Sequence, residues 1–233
     1  NIIFSYISYN LQVMNTNIIY SVSILCGGMS TRMGEDKALL DWSGTPLAMH
    51  IASGFRSCSD IFLSVRDESQ YSFLQLPKAA DQVSGCGPLA GLCASLQKSR
   101  NEILFVTTCD APLVDKKTSD ILTAALNDHD CVIPCSEDRI HPLIAVYRKT
   151  ILPKALSNLN MRKLRIRELL EDLDVLYFPC RDLPFGSDTL ANLNCPEDIR
   201  QFTRRSDQLF AHALQKDQEK QSPDTNQYSR KLR

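Results

Sequence analysis

The sequence predicts an α/β fold in three layers, with a mostly parallel sheet between two sets of helices. Three observations carry the prediction. Short runs rich in β-branched residues alternate along the chain with segments of helical periodicity, the order that βαβ units produce. One run, Ile103 to Thr108 (ILFVTT), is apolar almost without interruption, as expected of a central parallel strand covered on both faces. The first run stops at Gly27-Gly28 and opens into a polar loop. Ligands in doubly wound sheets bind beyond the carboxyl ends of the strands, where such a loop lies.

The elements follow in order. Ile18 to Leu25 (IIYSVSIL) reads as the first strand. Pro46 suits the first turn of a helix, and Leu47, Ile51 and Phe55 follow at helical spacing. Ile61 to Val65 (IFLSV) reads as a second strand, and the short segment before Asp81 as an edge strand. Gly85 and Gly87 precede a helix over Pro88 to Leu96 (PLAGLCASL). Ile103 to Thr108 ends at Cys109-Asp110, and Asp115 to Leu126 reads as a helix. Cys131 to Pro134 and Pro142 to Tyr147 (PLIAVY) read as strands. Helices are expected around Ile151 to Leu159 and Leu164 to Leu173. A short strand is expected over Val175 to Phe178, and a last helix from Glu197 to Phe202.

At 233 residues the chain has room for one domain of ordinary size. The 43% hydrophobic and 23% charged residues are globular proportions. Lys and Arg total 26 against 27 Asp and Glu, so the net charge of -1 leaves no basic footprint for duplex DNA or an acidic membrane surface. Neither nucleic acid nor a membrane is an expected partner, and no apolar run reaches the roughly 18 residues of a span. Residues 1–17 are expected outside the fold. Their apolar runs are broken by Ser, Asn and Gln, they lack the positive n-region of a signal peptide, and Met14 is the expected natural start. The domain is expected over 18–212. Residues 213–233 form a polar tail with few apolar anchors to offset the entropy of ordering. Nine cysteines occur without a CxxC pair, and the histidines form no HxxxH, so a zinc site has little support. The cysteines are expected as buried thiols in a reducing cytoplasm.

The chemistry concentrates in LCGGMSTRMGEDK. Two adjacent glycines allow a tight turn and bring backbone N–H groups close to an anion. Arg32 and Lys37 add fixed positive charge a few residues on, so the loop reads as a triphosphate cradle. It is neither a Walker A loop nor a GxGxxG fingerprint. Asp110, in TTCDAPLV, ends a buried strand before Pro112 and is placed to hold Mg²⁺ with few protein ligands. Taken alone, Asp110 reads as a helix cap; beside the phosphate loop, the metal reading is preferred. Asp81, in AADQVSGCGPLAGL, is a nucleotide contact or a turn-forming carboxylate. Gly85, Gly87 and Pro88 bring the backbone near a sugar or base, or simply start a helix. His141-Pro142 and Asn192-Leu193-Asn194 are explained by turn chemistry.

LCGGMSTRMGEDKALLDWSGTPL strongly resembles the LAGGxSxRMGxDKxxLxxxGxPL signature of molybdenum cofactor guanylyltransferases, also called molybdopterin-guanine dinucleotide biosynthesis protein A. GPLAGL, CDAPL, HPLIAVYR and NLNCPED resemble later blocks of that family, in the same order, so the likeness spans about Tyr20 to Phe202. Departures are Cys26 for the usual Ala, Cys195 where Thr is common, and Ser64 and Arg66 where Asn is frequent. The related cytidylyltransferases usually carry Ala-Ala-Gly where this chain has Cys26-Gly27-Gly28, so the second glycine favours guanine.

The resemblance implies a Rossmann-like sheet of the nucleotidyltransferase type. It implies a cytoplasmic, Mg²⁺-dependent enzyme that transfers GMP from GTP to Mo-molybdopterin and releases pyrophosphate. Arg32, Lys37 and Asp110 would be catalytic, with Asp110 the metal ligand. Leu25, Cys26, Gly27, Lys37, Ser64, Asp81 and Asp110 would bind the nucleotide. Other cofactor-biosynthesis proteins and molybdoenzymes are expected partners. Two alternatives stay open: a related nucleotidyltransferase using CTP or a sugar-phosphate acceptor, and a non-catalytic nucleotide-binding module.

Overall fold

A computed structural model describes residues 18–27, 36–83, 85–137 and 139–193, with Asp198 and Phe202. The expectations for residues 1–17, for Gly28, Arg32 and Gly34 of the loop, for the helix opening at Glu197 and for the tail lie outside the described residues.

β1 (Ser21–Leu25) leads through the loop and a short 3-10 turn (Lys37–Leu39) to a hairpin of β2 (Asp41–Trp42) and β3 (Thr45–Pro46). The hairpin turn is Ser43-Gly44, with φ of 52° and 84°, the two positive values a two-residue hairpin loop needs. Pro46 therefore ends a strand with ψ 136° and precedes α1 (Leu47–Ser53); it does not form the first helical turn expected of it. β4 (Ile61–Val65), β5 (Lys78–Ala80), α2 (Gly87–Lys98), β6 (Ile103–Thr108), α3 (Lys116–Ala124) and β7 (Cys131–Cys135) follow as read from sequence, within a few residues at their ends. β8 runs from Ala145 to Arg148, later than the strand expected from Pro142. The His141 carbonyl accepts from Ile144 N at 3.1 Å, and the Tyr147 hydroxyl donates to Pro142 O at 2.6 Å, so this stretch is a turn leading into the strand. α4 (Leu152–Asn160), α5 (Ile166–Leu170) and β9 (Val175–Pro179) complete the described elements.

The seven main strands lie in the order β5-β4-β1-β6-β8-β7-β9. β5, β4, β1 and β6 are parallel; β8 is antiparallel to both β6 and β7; β9 is parallel to β7. The mostly parallel three-layer prediction holds, although β6 has a parallel neighbour on one side only. Side chains alternate across the sheet. Leu104, Val106 and Phe62 join the core with α2, α4 and α5, while Phe105 packs against Phe55 on the opposite face, their rings tilted by 40° with centroids 5.7 Å apart. The serines of β1 are buried for a reason: Ser23 and Ser95 share a hydrogen bond at 2.7 Å that ties α2 to the strand.

The chain moves from β1 outward to β4 and β5, then crosses back to β6 on the other side of β1. The reversal leaves a crevice beyond the carboxyl ends of β1 and β6, the usual ligand position in such sheets. α2 closes one wall of it. A Cβ on Gly91 would stand 3.0 Å from Ser64 Oγ and 3.5 Å from Leu25 Cδ2, so the mid-helix glycine is required by close approach. Gly91→Val should lower stability by about 1–3 kcal/mol through overpacking, read as a drop in Tm; an unchanged Tm would show that α2 can move away from β4. Among the described residues, no helix is long and apolar enough to cross a membrane.

Candidate active site

Lys37 and Asp110 meet in this crevice. Lys37 Nζ lies 2.8 Å from Asp110 Oδ2, with side-chain exposures of 21% and 15%. It also donates to the Leu193 carbonyl at 2.7 Å, and Leu193 N donates to Asp110 O at 2.8 Å. Leu193, in a block read as a turn, thus clamps the lysine and the backbone of the aspartate together. Asp110 Oδ1 is buried without a hydrogen-bond partner among the described residues. No cluster of three or more potential metal ligands occurs among those residues. An orphaned carboxylate oxygen outside any cluster of potential metal ligands among the described residues fits a Mg²⁺ ion held mainly by substrate phosphates.

The loop that delivers Lys37 is anchored at both described ends. Cys26 N donates to Ser64 O at 2.8 Å, and Cys109 N donates to Leu25 O at 3.1 Å, so the ends of β1, β4 and β6 stay in register. Asp36 caps the 3-10 turn by accepting from Ala38 N at 3.1 Å. The Tyr71 hydroxyl donates to Asp36 at 2.6 Å and lies 3.2 Å from the Cys26 carbonyl. Tyr71 holds a φ of 53°, unusual for an aromatic residue. Burial and the Asp36 carboxylate push its phenol well above the ordinary range, so it acts as a neutral donor. The Cys26 thiol is likewise held protonated, by its hydrogen bond with Cys109 and by burial. It is a small filler beside the site and no nucleophile.

Asp81 stands at the end of β5. Asp81 N donates to Val65 O at 2.9 Å, and its side chain turns toward α2, with Oδ1 3.8 Å from the position a Gly91 Cβ would take. That oxygen is buried and unpartnered among the described residues. Burial raises the carboxyl pKa, and the Arg66 charge opposes the rise. Ser64 is buried against the same helix, its hydroxyl 3.4 Å from Gly91 O.

The structure therefore brings Leu25, Cys26, Gly27, Lys37, Ser64, Asp81 and Asp110 to one end of the sheet. Arg32, Gly28 and Gly34 lie outside the described residues. Gly85 and Gly87, with φ of 74° and 62°, turn the chain into α2 in backbone forms that side chains disfavour. Three contributors escaped the sequence reading: the Leu193 carbonyl, the Tyr71–Asp36 bridge and the close approach at Gly91. Of these, only Gly91 carries a local signal, a glycine inside a helical pattern.

Comparison with known proteins decides the family. The description "MobA-like NTP transferase domain" matches residues 22–176. The chain belongs to the MobA-like NTP transferase family. A protein of Carboxydothermus hydrogenoformans named "Probable molybdenum cofactor guanylyltransferase" is 33% identical over 187 residues, covering 79% of this chain and 95% of that protein. One of the same name from Bacillus velezensis is 33% identical over 202 residues, covering 84% and 97%. The crystal structure of molybdopterin-guanine dinucleotide biosynthesis protein A from Archaeoglobus fulgidus superposes with a TM-score of 0.69 at 24% identity, over 78% of this chain and 95% of that one, which shows the shared fold. The resemblance seen in the glycine loop and the later blocks is borne out. This MobA-like chain is a nucleotidyltransferase with its Lys37–Asp110 pair at the switch point of the sheet.

Proposed function

We propose that the protein transfers GMP from GTP to the terminal phosphate of the molybdenum-bound pterin cofactor and releases pyrophosphate. The observation that carries this reading is the convergence of Lys37 and Asp110, 2.8 Å apart, in the crevice beyond β1 and β6. A phosphate oxygen of the acceptor attacks the α-phosphorus of GTP. The bond from that phosphorus to the bridging oxygen breaks, and pyrophosphate leaves. The nucleophile is already ionised at neutral pH, so the site needs no general base; positioning and charge neutralisation do the work. Lys37, steadied by Asp110 and the Leu193 carbonyl, supports the negative charge on the phosphates, with Arg32 adding a second cation. Asp110 would hold Mg²⁺, which when bound neutralises phosphate charge as a Lewis acid. The backbone of Leu25, Cys26 and Gly27 lines the nucleotide, and Ser64 and Asp81 face it from β4 and β5. Guanine is favoured by the second glycine of the loop. The free thiols, six of the eight described being buried, suit a reducing cytoplasm. There other cofactor-biosynthesis proteins would supply the pterin, and molybdoenzymes would take the product.

Pyrophosphate release with the pterin cofactor as acceptor, measured with each of GTP, CTP and ATP, tests this reading. GTP should be preferred at least tenfold, since each unpaired buried polar group costs roughly 1–3 kcal/mol. A preference for CTP makes the protein a cytidylyltransferase, and no release with any nucleotide makes it a binding module.

Asp81 gives a separate expectation. Asp81→Asn should weaken GTP binding roughly tenfold by removing an acceptor for guanine donors, with Tm at pH 7 equal to or above wild type, because burial already disfavours the carboxylate. The raised pKa sets the sign with pH. GTP affinity of the wild type falls as pH drops through that raised value and protonates Asp81, and the variant loses this dependence. Calorimetric titration between pH 4.5 and 8 checks both, and parallel profiles would remove Asp81 from the base site.

A further inference from the structure

We propose that Arg66 is a specificity residue for the guanine base: its guanidinium donates to O6 and N7, beside the Asp81 carboxylate already read as the acceptor for the guanine donors. The inference rests on the guanine nucleotide reading above and deepens it. Arg66 directly follows β4 and Asp81 directly follows β5. Val65 pairs with Ala80 on these parallel strands, and Asp81 N bonds to Val65 O, so Arg66 and Asp81 are the next rung beyond the sheet. Asp81 lies on the α2 side. Ser64, two residues before Arg66, contacts the Gly91 carbonyl, and Asp81 Oδ1 approaches the same glycine.

The Arg66 stem leans across toward the phosphate loop. Its Cγ lies 3.4 Å from where a Cβ on Gly27 would stand, so the glycine leaves the arginine room against the loop. Arg66 is exposed. Its backbone N–H is held by Gln70 Oε1 at 2.9 Å, which fixes its position at the crevice mouth. Its guanidinium makes no hydrogen bond or ion pair among the described residues. Asp81 feels the Arg66 charge, yet the two form no ion pair with each other. The end of β4 thus carries donors and the end of β5 acceptors, on adjacent strands and not joined to each other.

That pattern matches guanine. Its edge presents two acceptors, N7 and O6, followed by two donors, N1–H and the amine. Adenine would set its amine against the guanidinium and an acceptor against the carboxylate. Cytosine is too small to span both. Arg66 stands where the family often has Asn, so the cationic fork is a specificity device of this chain. A planar guanidinium suits two adjacent acceptors better than a single ammonium does.

The test is calorimetric binding of GTP, 7-deaza-GTP (which lacks N7), ITP (which lacks the amine) and CTP, with Mg²⁺ present, to the full chain and to Arg66→Ala. The wild type should bind 7-deaza-GTP and ITP each about tenfold more weakly than GTP. Arg66→Ala should lose about tenfold toward GTP, abolish the 7-deaza penalty and keep the ITP penalty. Three results overturn the proposal: wild-type GTP affinity in Arg66→Ala, a retained 7-deaza penalty, or an equal loss for GTP and CTP, which would put Arg66 on the phosphates. The guanine reading fails separately, if the wild type binds CTP more tightly than GTP.

Discussion

Asp110→Asn abolishes magnesium-dependent turnover while the protein stays folded. Asparagine keeps the shape of the side chain and a carbonyl oxygen that can still accept from Lys37. It removes the negative charge that a hard cation requires, at the position where Oδ1 is already buried and unpartnered. Losing the metal's charge stabilisation costs several kcal/mol of transition-state energy, so kcat should fall by roughly 10³-fold or more. The cost to stability is modest, because the asparagine carbonyl still accepts from Lys37 and the pair is partly solvated. Pyrophosphate release against magnesium concentration, with a thermal melt on the same sample, separates the two effects. A variant with the wild-type rate and the wild-type magnesium profile would make Asp110 a structural residue.

Lys37→Ala should lower kcat for GMP transfer by roughly 10²- to 10³-fold, the usual cost of removing a preorganised charge from a transition state. The lysine is held twice, by Asp110 at 2.8 Å and by the Leu193 carbonyl at 2.7 Å. Its charge is therefore in place before the nucleotide arrives, and little reorganisation is needed during reaction. Removing it leaves Asp110 able to bind metal, so magnesium should still promote nucleotide binding in Lys37→Ala and fail to do so in Asp110→Asn. Wild-type turnover in folded Lys37→Ala would place the lysine outside the reaction and leave it a tether for the Leu193 segment.

Much of this site was legible because chemistry and topology coincide in the sequence. A strand buried on both faces needs an unbroken apolar run, so Ile103–Thr108 announced itself and placed Asp110 at its carboxyl end. The glycine pair and Lys37 lie within one loop and needed no tertiary information. What stayed hidden depends on distance or on the backbone. Leu193 contributes a carbonyl, which no side-chain pattern records, to a lysine 156 positions away in sequence. Tyr71 matters through a left-handed backbone and a hydroxyl aimed at Asp36, neither of which its sequence neighbours show. The β2–β3 hairpin is two residues on each side, too short for an alternation pattern to emerge. Alternation also carries no direction, so the antiparallel placement of β8 against β6 followed only from the turn at His141–Ile144. Gly91 was the one hidden feature with a plain local mark. A glycine inside a helix costs about 1 kcal/mol relative to alanine, and here the close approach of Ser64 and Leu25 explains its presence.

Following the phosphorus atoms of GTP distinguishes nucleotidyl transfer from every other use of the nucleotide. The protein is incubated with the pterin cofactor, Mg²⁺ and GTP labelled at either the α or the γ position. Nucleotidyl transfer puts the α label in a pterin dinucleotide and the γ label only in pyrophosphate. Finding γ label on the acceptor, or α label only in free GMP, would contradict it: the first is a kinase reaction and the second hydrolysis.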